Sequence, residues 1–170
     1  MNKLVKRIVI FMVVLFAIGS WTAKAQKGTM AAGLNYTLAF NSDNSFSGLA
    51  PKFQYYLSDV IRGEGVTTFL FPKNKNAYMD IAVYAHYLFK LDEKAVVYPI
   101  VGVGLLSWST TAILDRDLSV WPSAALGGGI EYAFTDKISA NAELKYKIAS
   151  GSNASNFGWL SIGVAYKFRR

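Results

Sequence analysis

The 170-residue sequence predicts an all-β chain, an eight-stranded antiparallel up-and-down barrel, from three observations. Apolar side chains alternate with polar or small ones in eight separate stretches, the period of a strand with two unlike faces. The links between stretches also alternate, three-residue turns with longer polar loops. In the stretch 126–148 two such runs meet head to head across Thr135-Asp136-Lys137 with their apolar faces in register. Pairing Phe134 with Ile138 sets Glu131 opposite Asn141 and Ile130 opposite Ala142, as an antiparallel hairpin requires.

The chain begins with an address. Lys3, Lys6 and Arg7 precede an apolar run from Ile8 to Gly19, and Ala23-Lys24-Ala25 supplies the small-x-small pattern of a cleavage site before Gln26. The run has about 12 apolar residues, short of the roughly 20 that a spanning helix needs. Residues 1–25 are therefore read as a secretory signal peptide, and residues 26–170 as one domain. Losing Lys3, Lys6, Arg7 and Lys24 with the signal lowers the formal charge from +7 to +3. The remaining cations are scattered, without the basic, aromatic-laced patch of a nucleic-acid binder. There is no cysteine, hence no disulfide, thiolate metal ligand or lipidated N-terminal Cys.

The strands follow in order. Strand 28–40 alternates Met30, Ala32, Leu34, Tyr36, Leu38 and Phe40 with small and polar residues, and Asn41 to Ser47 reads as a loop. Strand 48–57 sets Leu49, Pro51, Phe53, Tyr55 and Leu57 against Ala50, Lys52, Gln54 and Tyr56, ending at the turn Ser58-Asp59-Val60. Strand 61–71 is the least regular, and Pro72 to Ala77 reads as a loop. Strand 78–91 sets Met79, Ile81, Val83, Ala85, Tyr87 and Phe89 against Asp80, Ala82, Tyr84, His86, Leu88 and Lys90, before the turn Asp92-Glu93-Lys94. Strand 95–106 carries Gly102 and Gly104 opposite Val101, Val103 and Leu105. Ser107 to Trp121 reads as the longest loop. Strands 122–134 and 138–149 form the hairpin above, Ser150 to Asn156 is a polar loop, and strand 157–168 ends the pattern at Phe168.

The three tight turns share a local pattern in which an aromatic precedes Leu or Phe and then Asp, as in Tyr132-Ala133-Phe134-Thr135-Asp136. An aromatic girdle followed by a wet turn has that form. A soluble meander has no reason to gather its tight turns at one end; a membrane barrel assembled from one side does. Twelve residues at about 3.3 Å each, tilted about 45°, rise roughly 28 Å, close to the apolar band of roughly 25 Å. A soluble lipid carrier would need the apolar face inside. Here Gly102, Gly104, Gly127, Gly129, Gly163 and Ala165 share the charged face, which suits a cramped polar lumen instead. The fold class is thus a transmembrane β-barrel.

In its signal peptide, strand count, loop asymmetry and last strand ending in Phe168, the sequence resembles the small eight-stranded outer-membrane barrels of Gram-negative bacteria, the OmpX and OmpA-barrel type. The resemblance spans residues 28 to 168 and includes the run Tyr98-Pro99-Ile100-Val101-Gly102-Val103-Gly104. It implies an integral outer-membrane monomer in contact with lipid. It also implies that the barrel assembly machinery reads the final aromatic, although Arg169 and Arg170 follow Phe168 here.

Three sets of residues carry the functional expectations. Lys52, Asp80, His86, Glu131, Glu143, Lys145 and Lys147 face inward, with Arg62 and Glu64 if Leu57 pairs with Ile61. An eight-stranded barrel is just wide enough for side chains to fill it, so these charges are expected to pair as a structural network. Tyr55, Tyr87, Phe89, Tyr132, Phe134, Tyr166 and Phe168 are expected to form the girdle at the tight-turn end. Trp108, Asp115, Arg116, Asp117 and Trp121 are candidate surface contacts in the longest loop. The chain is expected to be structural, envelope-stabilising or surface-interacting, with no catalytic residues, cofactor or metal. The alternatives are a lipid A-modifying barrel enzyme and a narrow porin-like solute path. The only histidine, His86, has Tyr84 and Leu88 as its same-face neighbours and no serine two positions away. Register from the Asp92-Glu93-Lys94 turn pairs it with Ile100, far from the end where an outer-leaflet ester would lie.

Overall fold

The computed structural model describes residues 27–41, 44–73, 76–110, 118–151 and 156–168. The strands are β1 (Met30–Phe40), β2 (Ser45–Tyr56), β3 (Ile61–Lys73), β4 (Asn76–Tyr87), β5 (Ala95–Thr110), β6 (Leu118–Ala133), β7 (Ile138–Ala149) and β8 (Phe157–Phe168). Beyond Leu88, β4 resumes for Phe89–Lys90 in the same register against β5. Each strand pairs with its neighbours in sequence. The ring closes where β1 meets β8, from Met30↔Phe168 to Phe40↔Gly158. No strand is left at an edge over the body of the sheet, the condition for crossing a bilayer without unpaired backbone groups.

The expected registers hold. Ile130 pairs with Ala142, Glu131 with Asn141, and His86 with Ile100. Tyr56 pairs with Arg62, which turns Arg62 and Glu64 inward. From Ile61 to Leu70 strand β3 keeps one register against β4, with Gly63 and Gly65 at outward positions. The geometric irregularities are a register shift against β4 between Leu70 and Lys73 and a break in the ladder to β2 between Leu49↔Phe69 and Lys52↔Val66.

Strand ends at the long-loop side differ from expectation. β2 begins at Ser45, β3 and β4 reach Lys73 and Asn76, and β5 and β6 continue to Thr110 and Leu118 through the pairs Ser107↔Val120 and Ser109↔Leu118. Much of what reads as loop is therefore hairpin. Above the apolar band the outward face of a strand meets polar surroundings. Ser45 and Ser47 on the outside then cost nothing, and the two-residue signal fades although the ladder continues. At the tight-turn end the connections are as short as expected. Phe134 N–H donates to the Ile138 carbonyl (3.0 Å), and Leu91 N–H to that of Ala95 (2.9 Å).

The outward face is apolar around the whole ring. Val103 and Leu126 are each 61% exposed and Leu144 57%, in company with Leu34, Leu49, Phe69, Ile81, Ile130 and Ile162. A soluble monomer rarely exposes a contiguous apolar patch beyond a few hundred Å². A belt of this kind fits hydrocarbon. Tyr55, Tyr132, Phe134, Tyr166 and Phe168 lie exposed at its tight-turn rim, with Tyr132 and Phe134 in edge contact at 5.5 Å between ring centroids. Tyr87 is half-buried beside them. Phe89 departs from the expected girdle. It is buried against the Tyr87 ring (4.8 Å) where β4 is interrupted, since Leu88 gives its N–H to Val60 of the neighbouring turn.

Candidate functional site

The inward parity of every strand converges on the lumen, and all seven polar residues expected there are buried. From the tight-turn end upward they form three tiers. In the lowest, the Arg62 guanidinium lies between the rings of Tyr56 (5.5 Å) and Tyr98 (4.7 Å). It donates to Glu131 (2.5 Å), to the Tyr56 hydroxyl (3.2 Å) and to Nδ1 of His86 (3.0–3.1 Å). The other Glu131 oxygen takes Lys167 at 3.0 Å. A guanidinium cannot accept, so His86 accepts at Nδ1 and carries its proton on Nε2. The imidazole stacks on Tyr98 at 4.9 Å.

Glu143 is the hub of the middle tier. It accepts from Lys145 (2.8 Å), Lys52 (3.0 Å), the Tyr98 hydroxyl (3.1 Å) and the Asn141 amide (3.5 Å). Lys52 also reaches Glu64 (3.2 Å), which accepts from Gln54 (2.7 Å). Two of these links cross the lumen, because β2 and β5 each meet β7 there without being its ladder neighbours. In the upper tier Lys147 pairs with Asp80, and its ammonium lies over the Trp159 ring at 4.6 Å. Thr37 and Ser161 hydroxyls share a hydrogen bond of 2.9 Å.

Five cations (Lys52, Arg62, Lys145, Lys147 and Lys167) thus face four carboxylates (Glu64, Asp80, Glu131 and Glu143), and each has an opposite charge in contact. Desolvation of a buried charge is offset only by such pairing with further hydrogen bonds. Space for the tiers comes from small residues. A β-carbon at Gly129 would stand 2.6 Å from the Tyr98 ring, so glycine there lets Tyr98 lie flat between Arg62, His86 and Glu143.

Above the charged tiers the lumen changes character. Ala39, Phe46, Leu70, Leu106, Ala149, Phe157 and Trp159 form a buried apolar cluster, with Tyr78 and Trp121 packed against it. Every one of the eight strands contributes to it. Phe46, Tyr78 and Phe157, from β2, β4 and β8, meet edge to face with centroids 4.8 Å, 5.9 Å and 6.4 Å apart. Sequence reading missed this disc because Phe46 and Trp121 fall in segments that read as loops. Inward parity, extended two residues at a time past Gly48 and Ser123, is the signal that finds them. Trp121 is accordingly corrected from a surface contact to a lumen residue on β6, paired with Leu106. The Trp108 backbone pairs with Tyr78 and Ser119. Its side chain, and Asp115, Arg116 and Asp117 altogether, lie outside the described residues. Among the described residues no group of His, Cys, Asp or Glu has the arrangement of a metal site.

A closed antiparallel ring with an apolar belt, an aromatic rim and an ion-paired interior defines an eight-stranded β-barrel of the outer-membrane type. Solved structures agree. The chain is similar to Neisserial surface protein A at 21% identity, with a TM-score of 0.66 over 82% of this chain and 96% of that one. It is similar to the N-terminal β-barrel domain of Pseudomonas aeruginosa OprF at 18% identity and a TM-score of 0.63, covering 85% and 100%. It is also similar to Ail, the attachment invasion locus protein of Yersinia pestis, solved with the heparin analogue sucrose octasulfate, at 17% identity and a TM-score of 0.61 over 84% and 99%. No protein-family model matches the chain, and neither does any curated protein. At these identities the likeness carries the fold and not the role.

Proposed function

We propose that this chain is an exported, monomeric barrel of a Gram-negative outer membrane. Its tight turns face the periplasm, and it is inserted by the barrel assembly machinery after loss of residues 1–25. It serves the envelope structurally or through contacts of its outer loops, not by transport or catalysis. The observation that carries this reading is the pairing of a complete apolar belt with a lumen that side chains fill. The belt supports residence in lipid, and the buried side chains that occupy the lumen support a closed interior. Surface contacts fall to the long-loop side, with Trp108 and the segment between β5 and β6 that contains Asp115, Arg116 and Asp117 as the candidates. Intact cells with and without the protein, compared for surface-ligand binding and for leakage of periplasmic contents, test this. A change in either supports it, and robust sugar uptake by the purified protein in liposomes overturns it.

Against catalysis stands the position of His86. It is buried near the tight turns, covered by Tyr98 and tied through Nδ1 to Arg62. A general base must lie within hydrogen-bond reach of the proton it takes. A lipid in the outer leaflet sits at the far end of β4, about eight residues or roughly 20 Å along the axis. His86→Gln is expected to insert and to leave the lipid A acyl pattern unchanged. An altered pattern from a normally inserted variant would favour the enzymatic alternative.

A further inference from the structure

The lumen has a lower part, in which charges are interleaved with buried apolar and aromatic side chains such as Tyr56, Tyr84, Leu88, Tyr98 and Ile100, and an upper part without charge. Its charged tiers retain polar atoms to which the protein gives no partner: Oε1 of Gln54 and of Glu64, Oδ1 of Asp80 and of Asn141, and Nε2 of His86. Buried polar groups in native proteins are satisfied, by ordered water where the protein supplies nothing. The tiers are therefore a place where water belongs, and their charges have alternatives at hand. Lys52 already divides itself between Glu64 and Glu143, and Glu131 between Arg62 and Lys167. Lys167, at the tight-turn mouth, is the most open of the paired side chains at 17%. A polar layer of this sort slows an ion but offers it ligands.

The disc above offers no charge. It is mainly apolar, with a contribution from each of the eight strands and three rings in mutual contact, and its polar atoms are the Tyr78 hydroxyl and the indole N–H groups of Trp121 and Trp159. Water and ions leave an apolar constriction because nothing there replaces their hydration. The nearest charge below it, Lys147, is held back on Asp80 and under the Trp159 ring.

We propose that the aromatic disc of Phe46, Tyr78 and Phe157 is the permeation barrier of this barrel, and that the ion network beneath it is a hydrated vestibule entered from the tight-turn end. The proposal rests on the closed-lumen reading above and says which layer closes it. A consequence is that loosening the disc, and not neutralising the network, opens the barrel to small ions.

Planar-bilayer recordings on three purified full-length proteins test this: native, Phe46→Ala/Phe157→Ala and Glu143→Gln/Lys145→Met, each first shown to be folded by heat-dependent electrophoretic mobility. Native protein and the network variant are expected to be silent, and the disc variant to pass a small-ion current at least tenfold above the native baseline. A folded disc variant that stays silent, or a network variant that conducts, overturns the assignment to the disc. Conduction by the native protein instead overturns the closed-lumen reading on which it rests. A second measurement does not depend on the disc variant folding. The chain has no cysteine, so Ser161→Cys places a single thiol just below an intact disc. With the protein inserted in sealed vesicles with its long loops outward, a small charged thiol reagent added outside is expected to leave it unmodified. Modification as fast as that of an exposed loop cysteine overturns the proposal.

Discussion

Removing the hub carboxylate tests whether the lumen charges are held as a buried network. Glu143→Ala strips Lys145 of its paired carboxylate and the Tyr98 hydroxyl and Asn141 amide of their acceptor, while Lys52 keeps Glu64 at 3.2 Å. Three of the four donors thus lose that acceptor in a place nearly closed to solvent. Breaking a buried pair by removing one partner costs about 3–5 kcal/mol, against 0–1 kcal/mol for an exposed pair. Lys52 retains a partner, so a loss near the lower bound, about 3 kcal/mol, is expected. At roughly 1.4 kcal/mol per factor of ten, that is about two orders of magnitude in the folding equilibrium. Glu143→Gln/Lys145→Met is expected to recover part of it, because the stranded ammonium goes with its partner. Urea titration of folding into lipid vesicles, by tryptophan fluorescence and electrophoretic mobility, gives both numbers. A loss below about 1 kcal/mol for Glu143→Ala would refute the claim that these charges are desolvated.

Two further outcomes are expected. Gly129→Ala sets a methyl against the Tyr98 ring and is expected to cost about 1–3 kcal/mol by overpacking, in the same titration; no loss would mean that Tyr98 does not lie where its bonds to the network require. In the turn after β4, backbone N–H groups of Lys94 and Ala95 donate to Asp92 at 2.5 Å and 2.9 Å and hold its carboxyl below the ordinary aspartate value. A lowered folded value stabilises the turn above the unfolded pKa of about 3.9, and that stabilisation is lost as pH falls through the folded one, so the protection of amides 94 and 95 relative to their intrinsic exchange rate at each pH should fall in strong acid and stay flat between pH 5 and 8.

How much of this was legible in the sequence depends on which side of the lipid boundary a residue lies. Inside the belt each strand separates lipid from lumen, so parity is enforced at every step. That is why β7 and β8 match their expected bounds and why Glu131, Asn141, His86 and Ile100 pair as read. A one-residue slip would have put Lys145 and Lys147 into hydrocarbon. Beyond the belt the enforcement ends. Ser45, Ser47, Ser107 and Ser119 carry strands that composition assigns to loops, and with them Phe46 and Trp121 were lost to the lumen. Phe89 shows a different limit. Parity gives its direction, but not the break at Leu88 or the Tyr87 ring that covers it. Nor does one-dimensional spacing show contacts across the lumen, such as Lys52 with Glu143 or Arg62 with Glu131, because these join strands that are not ladder neighbours.

The central claim is that the outward face of the ring meets lipid and the inward face does not. Spin labels placed singly at Ile130, Ile162 and Val164, all outward and 47–56% exposed, and at Glu131, Ser139 and Ser161, all inward and buried, read it directly in vesicles. The first three are expected to collide freely with oxygen dissolved in the bilayer and to be shielded from a water-soluble nickel chelate. The second three are expected to be shielded from lipid-borne oxygen. The reverse pattern, with the outward set shielded and the inward set open to the aqueous reagent, would make the protein a soluble barrel and contradict this membrane orientation.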